Sequence, residues 1–304
     1  MASISNLRKT TVLLALGSGL CSTIALALPA FSDWAAPVNV ETLPESANTV
    51  NTPAVDGCVS LSRDGFTLAF NSNRGGNQDI YIATRTSKDH GFGTPQALPG
   101  PINTAADEFC PTIALGNRLY FSRNHAGDPG DLYVSREGPA GWETAIRLGG
   151  DINGPLMEES AAFYENELDQ RVMVFSRRPA SGAGGAIFAS IEGGPSTSVP
   201  VGPGANNRPS ITHDGLNLFF DSVRTGGLGG PDLFMASRSS TSEPFGPAVN
   251  LATLNSPGFD ARPSISWDGS ELLFSSIRSG GEGGPDIWRT SRNKKPSGPK
   301  VIEF

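Results

Sequence analysis

Short apolar runs alternate with Gly, Asp, Ser and Pro clusters from residue 56 to residue 292. Runs of that length, rich in β-branched and aromatic residues and bounded by turn formers, read as strands. The clearest unit covers residues 262–292. Pro263-Ser264-Ile265-Ser266 leads into Asp268-Gly269, then an apolar run ending at Phe274, Arg278, a glycine-rich loop, and Asp286-Ile287-Trp288. Strands are predicted over 263–266, 271–276 and 286–290. Asp-Gly supplies the hairpin turn, because glycine tolerates the positive backbone angles such turns demand. No stretch after residue 30 carries a convincing helical period.

Residues 208–238 repeat this unit position for position, and 58–85, 110–136 and 160–190 are weaker copies. The third copy has lost its Asp-Gly turn and has Ala186 where its sisters have Asp. Phe70, Phe121, Phe175, Phe220 and Phe274 recur at a spacing of about fifty residues, which is the period of propeller blades. Aromatic-to-aliphatic segments at 92–98, 142–148 and 245–251 follow individual units and read as fourth, outer strands. For the worn third unit the candidate is 197–201. The last unit supplies none, but residues 34–40 match 245–251 position for position. A ring escapes an open sheet edge only if its last blade is completed. The expectation is an all-β, five-bladed β-propeller of four-stranded blades, closed by an N-terminal outer strand. It forms one domain over 31–304, with blade cores near 56–98, 108–148, 158–201, 206–251 and 260–292.

The run Pro-Ser-x-Ser-x-Asp-Gly, then Phe-x-Ser-x-Arg, Gly-Gly and Asp-Ile-Trp resembles the TolB-like, WD40-like propeller repeat of bacterial envelope proteins. The resemblance covers nearly the whole chain after residue 30. It implies a propeller that is usually exported and often serves binding or scaffolding, without implying one activity. Familiar TolB-type propellers have six blades, so a count of five departs from that pattern.

Arg8 and Lys9 precede an apolar run over 12–28, followed by small residues at Ala27 and Ala30. This is the layout of a secretory signal peptide over 1–30, predicting a periplasmic or extracellular protein with no membrane span once the leader is removed. The net charge of −7 argues against nucleic acid or an anionic membrane as partner. The expected partner is an envelope protein or a glycan ligand, met by a monomer. Cys58 and Cys110 remain after the leader is removed and occupy equivalent positions in adjacent units. A disulfide between them, or two buried thiols, fits an exported protein.

Two sets of residues could carry chemistry. Arg74 with Asp79, Arg224 with Asp232, and Arg278 with Asp286 recur with the repeat and are expected to tie each blade internally. The glycine loops at 226–230 and 280–284 have the look of phosphate cradles, but no helix or Walker lysine follows them. Asp56, Glu108, Glu158, Asn206 and Asp260 begin the five units and are expected to ring one mouth of the channel. If residues two apart share a face, Cys58, Cys110, Ser160, Arg208 and Arg262 form the next ring. Three readings stay open for the acids. They pair with Arg208 and Arg262; or Asp56, Glu108, Glu158 and Asp260 hold a hard cation such as calcium; or Asp56, Glu108 and Glu158 act as glycosidase carboxylates. His90, His125 and His213 share no repeat position and read as surface loop residues. The functional expectation is non-catalytic binding or scaffolding in the cell envelope, the alternative a glycoside hydrolase.

Overall fold

A computed structural model of the chain describes residues 31–125, 127–181 and 184–295. The leader predicted over 1–30 lies outside the described residues. Five antiparallel sheets follow one another in a ring. In the first, Asp56–Leu61, Thr67–Ser72, Asp79–Thr84 and Gln96–Ala97 run in order from the innermost to the outer strand. In the fourth, Asn206–Ile211, Asn217–Ser222, Asp232–Ser237 and Val249–Asn250 do the same. The fifth takes Asp260–Ile265, Glu271–Ser276 and Asp286–Ser291 from its own repeat. Its outer strand is Val38–Asn39, with Val38 opposite Arg289 and Asn39 opposite Trp288. The fold is therefore a five-bladed propeller closed by its N-terminal segment. The only helical turn among the described residues is Val40–Thr42. None of their helices is long and apolar enough to cross a membrane.

The outer strands are shorter than the pattern predicts, two or three residues rather than five to seven. Pro37, Pro95 and Pro247 sit inside the predicted segments, and a residue without an N–H cannot extend a ladder. The worn third blade still finds a fourth strand at Ser196–Ser198. In the second blade Trp142 departs from the outer strand. It pairs with Glu137 in a hairpin extension of Asp128–Gly138, leaving Ile146–Arg147 as the outer strand.

The recurring phenylalanines are the reason the blades stack. Phe70, Phe121, Phe175, Phe220 and Phe274 are all fully buried. Each faces an aromatic ring of the third strand: Tyr81, Tyr133, Phe188, Phe234 and Trp288 in turn. Alternate residues on the same strands face the neighbouring blade. Leu68 and Phe70 of the first blade pack with Leu273 and Ile287 of the fifth. Burying one such side chain stabilises by about 1.5–3 kcal/mol, so each interface is a layer of apolar area rather than one contact.

One departure from regular geometry recurs in every innermost strand. Each carries a bulge, between Gly57 and Ser60, Phe109 and Thr112, Glu159 and Ala162, Asn207 and Ser210, and Ala261 and Ser264. The residue entering the bulge is Cys58, Cys110, Ser160, Arg208 or Arg262, with φ between 48° and 59°. A left-handed backbone is costly for side chains other than glycine, by roughly 1–2 kcal/mol each. Polar atoms of the preceding blade hold several of these residues in place. Their backbone N–H groups donate to Ser275 Oγ for Cys58, Asn71 Oδ1 for Cys110, Ser176 Oγ for Arg208 and Asp221 Oδ1 for Arg262. Bulges bend a strand and re-aim its side chains. Here they break the two-residue parity that would place residues 56 and 58 on one face.

Candidate binding cavity in the central channel

The five bulge residues converge on the axis. Cys58, Cys110, Ser160, Arg208 and Arg262, with the strand residues that follow them, line a cavity of about 330 Å³. Its rim is built by the turns after the innermost strands, including Arg63, Leu115, Glu165, His213 and Trp267. Cys58 and Cys110 are joined by a disulfide, their α-carbons 4.7 Å apart. That distance is short because equivalent positions of neighbouring blades come together at the axis. Ser160 Oγ lies 3.6 Å from Cys58 Sγ, so three blades meet across this floor.

The acids at the head of each repeat do not face the cavity. Asp56, Glu108, Glu158 and Asp260 are fully buried, Asn206 nearly so, and none of the five lines it. Each is held by an arginine at or just past the end of the second strand. Arg74 meets Asp56 at 2.5 Å, Arg123 meets Glu108 at 2.7 Å, Arg177 meets Glu158 at 2.8 Å and Arg278 meets Asp260 at 2.5 Å. Arg224 donates to Asn206 Oδ1 in the same way. The same guanidiniums donate to carbonyls of the segment entering the blade, at Val50, Ile102, Ile152, Val201 and Leu254. They also lie over the aromatic pair of the second and third strands, as Arg278 does at 5.0 Å from Phe274 and 5.2 Å from Trp288. Backbone N–H groups of Thr52, Thr104, Gly154 and Ser256 complete the acids' acceptor needs. Burial pushes the Glu158 carboxyl up, against the Gly154 N–H and Arg177. Among the described residues no three His, Cys, Asp or Glu side chains are grouped to hold a metal ion.

Two expected pairings are therefore corrected. The second-strand arginines reach back to the acid that opens the innermost strand, not forward to the Asp that opens the third. The acids take these arginines, not Arg208 and Arg262. Asp232 and Asp286 instead accept backbone N–H groups of their own glycine loops, from Leu228 and Glu282. A Cβ on Gly227 or Gly281 would stand 2.0 Å or 1.8 Å from the enclosed carboxylate oxygen. The loops cradle an anion, and the anion is the chain's own aspartate. Burial raises the Asp286 carboxyl to about 6, helped by Asp56, Glu282 and Glu41 and opposed by the Glu282 N–H.

At the cavity floor the charges are interleaved. Arg208 grips Asp221 with two hydrogen bonds of 2.7 Å. Arg178 donates to Glu159 at 2.6 Å, and Arg208 stands 3.7 Å from the same carboxylate. Burial would push Glu159 up, but Arg208 and Arg178 hold it below the usual carboxylate range. Among the described residues Arg262 has no such partner, and its Nε and Nη1 are buried without a hydrogen bond. Burial and the nearby Arg208 push it down to about 10, so it remains a cation at neutral pH.

Sequence reading missed the rim. His213 is the exposed turn residue expected, and it also stacks on Trp267 with ring centres 5.0 Å apart, while the Arg63 guanidinium lies 4.4 Å from the Trp267 ring. Arg171 lies 4.1 Å from the Phe163 ring. The available signal was the residue before Asp-Gly: Arg63, His213 and Trp267 differ inside an otherwise repeated frame.

No protein-family model and no curated protein matches the sequence. Solved propellers do match the fold. An arabinanase of Bacillus subtilis superposes with a TM-score of 0.56 at 12% identity, covering 80% of this chain and 96% of that one. An exo-1,5-α-L-arabinanase from a bovine ruminal metagenomic library gives 0.57 at 12% identity, over 81% and 94%. TolB from Acinetobacter baumannii gives 0.50 at 14% identity, over 78% of this chain and 54% of TolB. At such identities the likeness is one of fold.

Proposed function

We propose that this chain is an exported, non-catalytic binding propeller of the cell envelope whose ligand is held in the central cavity. A cavity of about 330 Å³ is at the small end of the range for ligand sites, which also tend to mix apolar walls with a few converging polar groups. The observation that carries the reading is where the carboxylates are. Glycoside hydrolysis of the usual kind needs two carboxyl groups flanking the scissile bond, about 5–9.5 Å apart. Here Glu165 is the one carboxylate among the described residues of the lining, while Asp56, Glu108, Glu158 and Asp260 are each buried against an arginine. The acids thus serve the blades, and the cavity offers binding groups instead.

The test is a panel of envelope glycans and peptidoglycan fragments assayed for both binding and product release. Saturable binding without new reducing ends, weakened by Trp267→Ala at the rim, is expected. Reducing ends released in proportion to protein, and abolished in Glu165→Gln, would replace this reading with a hydrolase. A panel without any saturable binder would remove the cavity from the reading.

A further inference from the structure

The lining of the cavity runs against the charge of the chain. The protein carries a net −7, yet among the described residues Arg63, Arg118, Arg171, Arg208 and Arg262 line the cavity beside a single carboxylate, Glu165. The imbalance persists at the floor, where Arg178, Arg208 and Arg262 face two carboxylates, Glu159 and Asp221. Arg208 is satisfied by Asp221, and Arg178 by Glu159. Among the described residues Arg262 has no direct ion pair, and its guanidinium lies 5.6 Å from the Phe259 ring.

Its position makes this unusual. Nε and Nη1 are sealed from solvent without an acceptor, and Nη1 lies against blade one, 3.3 Å from where a Gly57 Cβ would stand. Leaving a charged donor group buried and unpaired costs more than leaving out the charge altogether. A methionine of similar length would avoid that cost. A cation kept at the end of a cavity, with Glu159 and Asp221 near it but already engaged by Arg178 and Arg208, is suited to a counter-ion that arrives from outside. The backbone reinforces this, because Arg262 stands on a left-handed bulge residue with φ of 59° that aims its side chain at the axis. Arg63 on Trp267 and Arg171 on Phe163 add cationic and aromatic surfaces above it.

We infer that the cavity is an oxyanion site: its ligand carries a carboxylate or comparable oxyanion that seats on Arg262, with the ligand body between the Trp267 and Phe163 walls. This rests on the binding reading above and names the chemistry of the ligand. With Nε and Nη1 sealed from solvent, Nη2 is the Arg262 donor left to meet a ligand, and a charge-assisted hydrogen bond to a carboxylate oxygen is among the stronger contacts a single donor can make. The Cys58–Cys110 bridge closes part of the floor next to this seat.

The probes are citrate, sulfate and the matched pair D-galacturonate and D-galactose, titrated calorimetrically at constant ionic strength set with sodium chloride. At least one oxyanion probe is expected to bind saturably, with galacturonate at least tenfold tighter than galactose. Arg262→Met should weaken binding at least tenfold. It should also leave the ligand-free melting temperature unchanged or higher, because it removes an unpaired buried charge. That readout separates a ligand seat from a structural strut. Arg171→Met, at the rim, is the second variant and should weaken oxyanion binding several-fold without loss of fold. The inference is overturned if no oxyanion binds above the chloride control, if binding survives Arg262→Met, or if that variant melts lower or fails to fold. Binding of neutral glycans without oxyanion binding would overturn this inference while leaving the binding reading intact; binding of neither class would end both.

Discussion

The repeat contains its own control for what a buried ion pair is worth. In blade five Arg278 donates to Asp260, to the Leu254 carbonyl and to Ser276, and covers Phe274 and Trp288. In blade four Arg224 makes the matching contacts with Val201, Ser222, Phe220 and Phe234, but its side-chain partner is the neutral Asn206. Arg278→Met keeps most of the stem packing and leaves Asp260 buried, with only the Ser256 N–H and hydroxyl to satisfy it. Removing one partner of a buried pair costs about 3–5 kcal/mol, because a charge is orphaned. Arg224→Met loses the same carbonyl contact and the same ring stacking but orphans only an amide, at about 1–2 kcal/mol. The difference between the variants should be about 2–3 kcal/mol, or roughly 5–10 °C in melting temperature at 2–4 °C per kcal/mol. Urea titrations of both variants and the parent measure it, read as midpoints at constant slope. Equal destabilisation would refute the assignment of the cost to the orphaned carboxylate. It would place the value of the clamp in its carbonyl and aromatic contacts.

Deleting residues 31–40 removes the outer strand of blade five, the fully buried Val40 and the bond from Thr290 to the Ala35 carbonyl. The shortened chain should associate or unfold at markedly lower urea, and a monomer with an unchanged midpoint in sedimentation and urea titration would contradict ring closure. Asp286 holds its proton up to about pH 6 in the fold and gives it up near pH 4 when unfolded, so its contribution is greatest below pH 4 and is lost as the pH rises through 6. Asp286→Asn should therefore gain stability on the parent between pH 4 and pH 7, by about 2–3 kcal/mol; parallel melting profiles across that range would contradict the shift. The Cys58–Cys110 bridge spans 52 positions, and its removal in a double Cys→Ser variant should cost about 2–4 kcal/mol. Intact mass after denaturing alkylation without reductant should show no added groups, and two added groups would mean free thiols.

The architecture was legible because it depends on repetition. Phe70 and its four counterparts marked the period, and the match of 34–40 to 245–251 marked the closure. The direction of the side chains at the axis was not legible. Alternation predicts that Asp56 and Cys58 share a face, but a bulge of one extra residue reverses the parity, and a Cys, Ser or Arg at its centre gives no sign of a positive φ. The arginine pairings failed for a related reason. Asp286 is eight positions from Arg278 and Asp260 eighteen, yet the loop glycines turn Asp286 back on its own backbone and leave the guanidinium facing the blade entry. The ring of Cys58, Cys110, Ser160, Arg208 and Arg262 was legible from its repeat position, but the rim residues Arg63, His213 and Trp267 were not, because they differ inside the repeated frame.

Closure by the first strand also fixes an order of events. Thr290 and Ala35 are 255 positions apart, whereas neighbouring blades join residues about fifty apart. Closing the longer loop costs only about 1.4 kcal/mol more by the logarithmic law of chain closure, so the finished ring is hardly penalised. The consequence lies in time. Blades one to four can form as the chain emerges, but the edge of blade five and the seam where Arg85 meets Glu271 stay open until both ends of the chain are present. A chain delivered from its N-terminus must keep residues 34–40 unpaired until last, and in that interval its exposed strand edge can join a second copy as readily as its own.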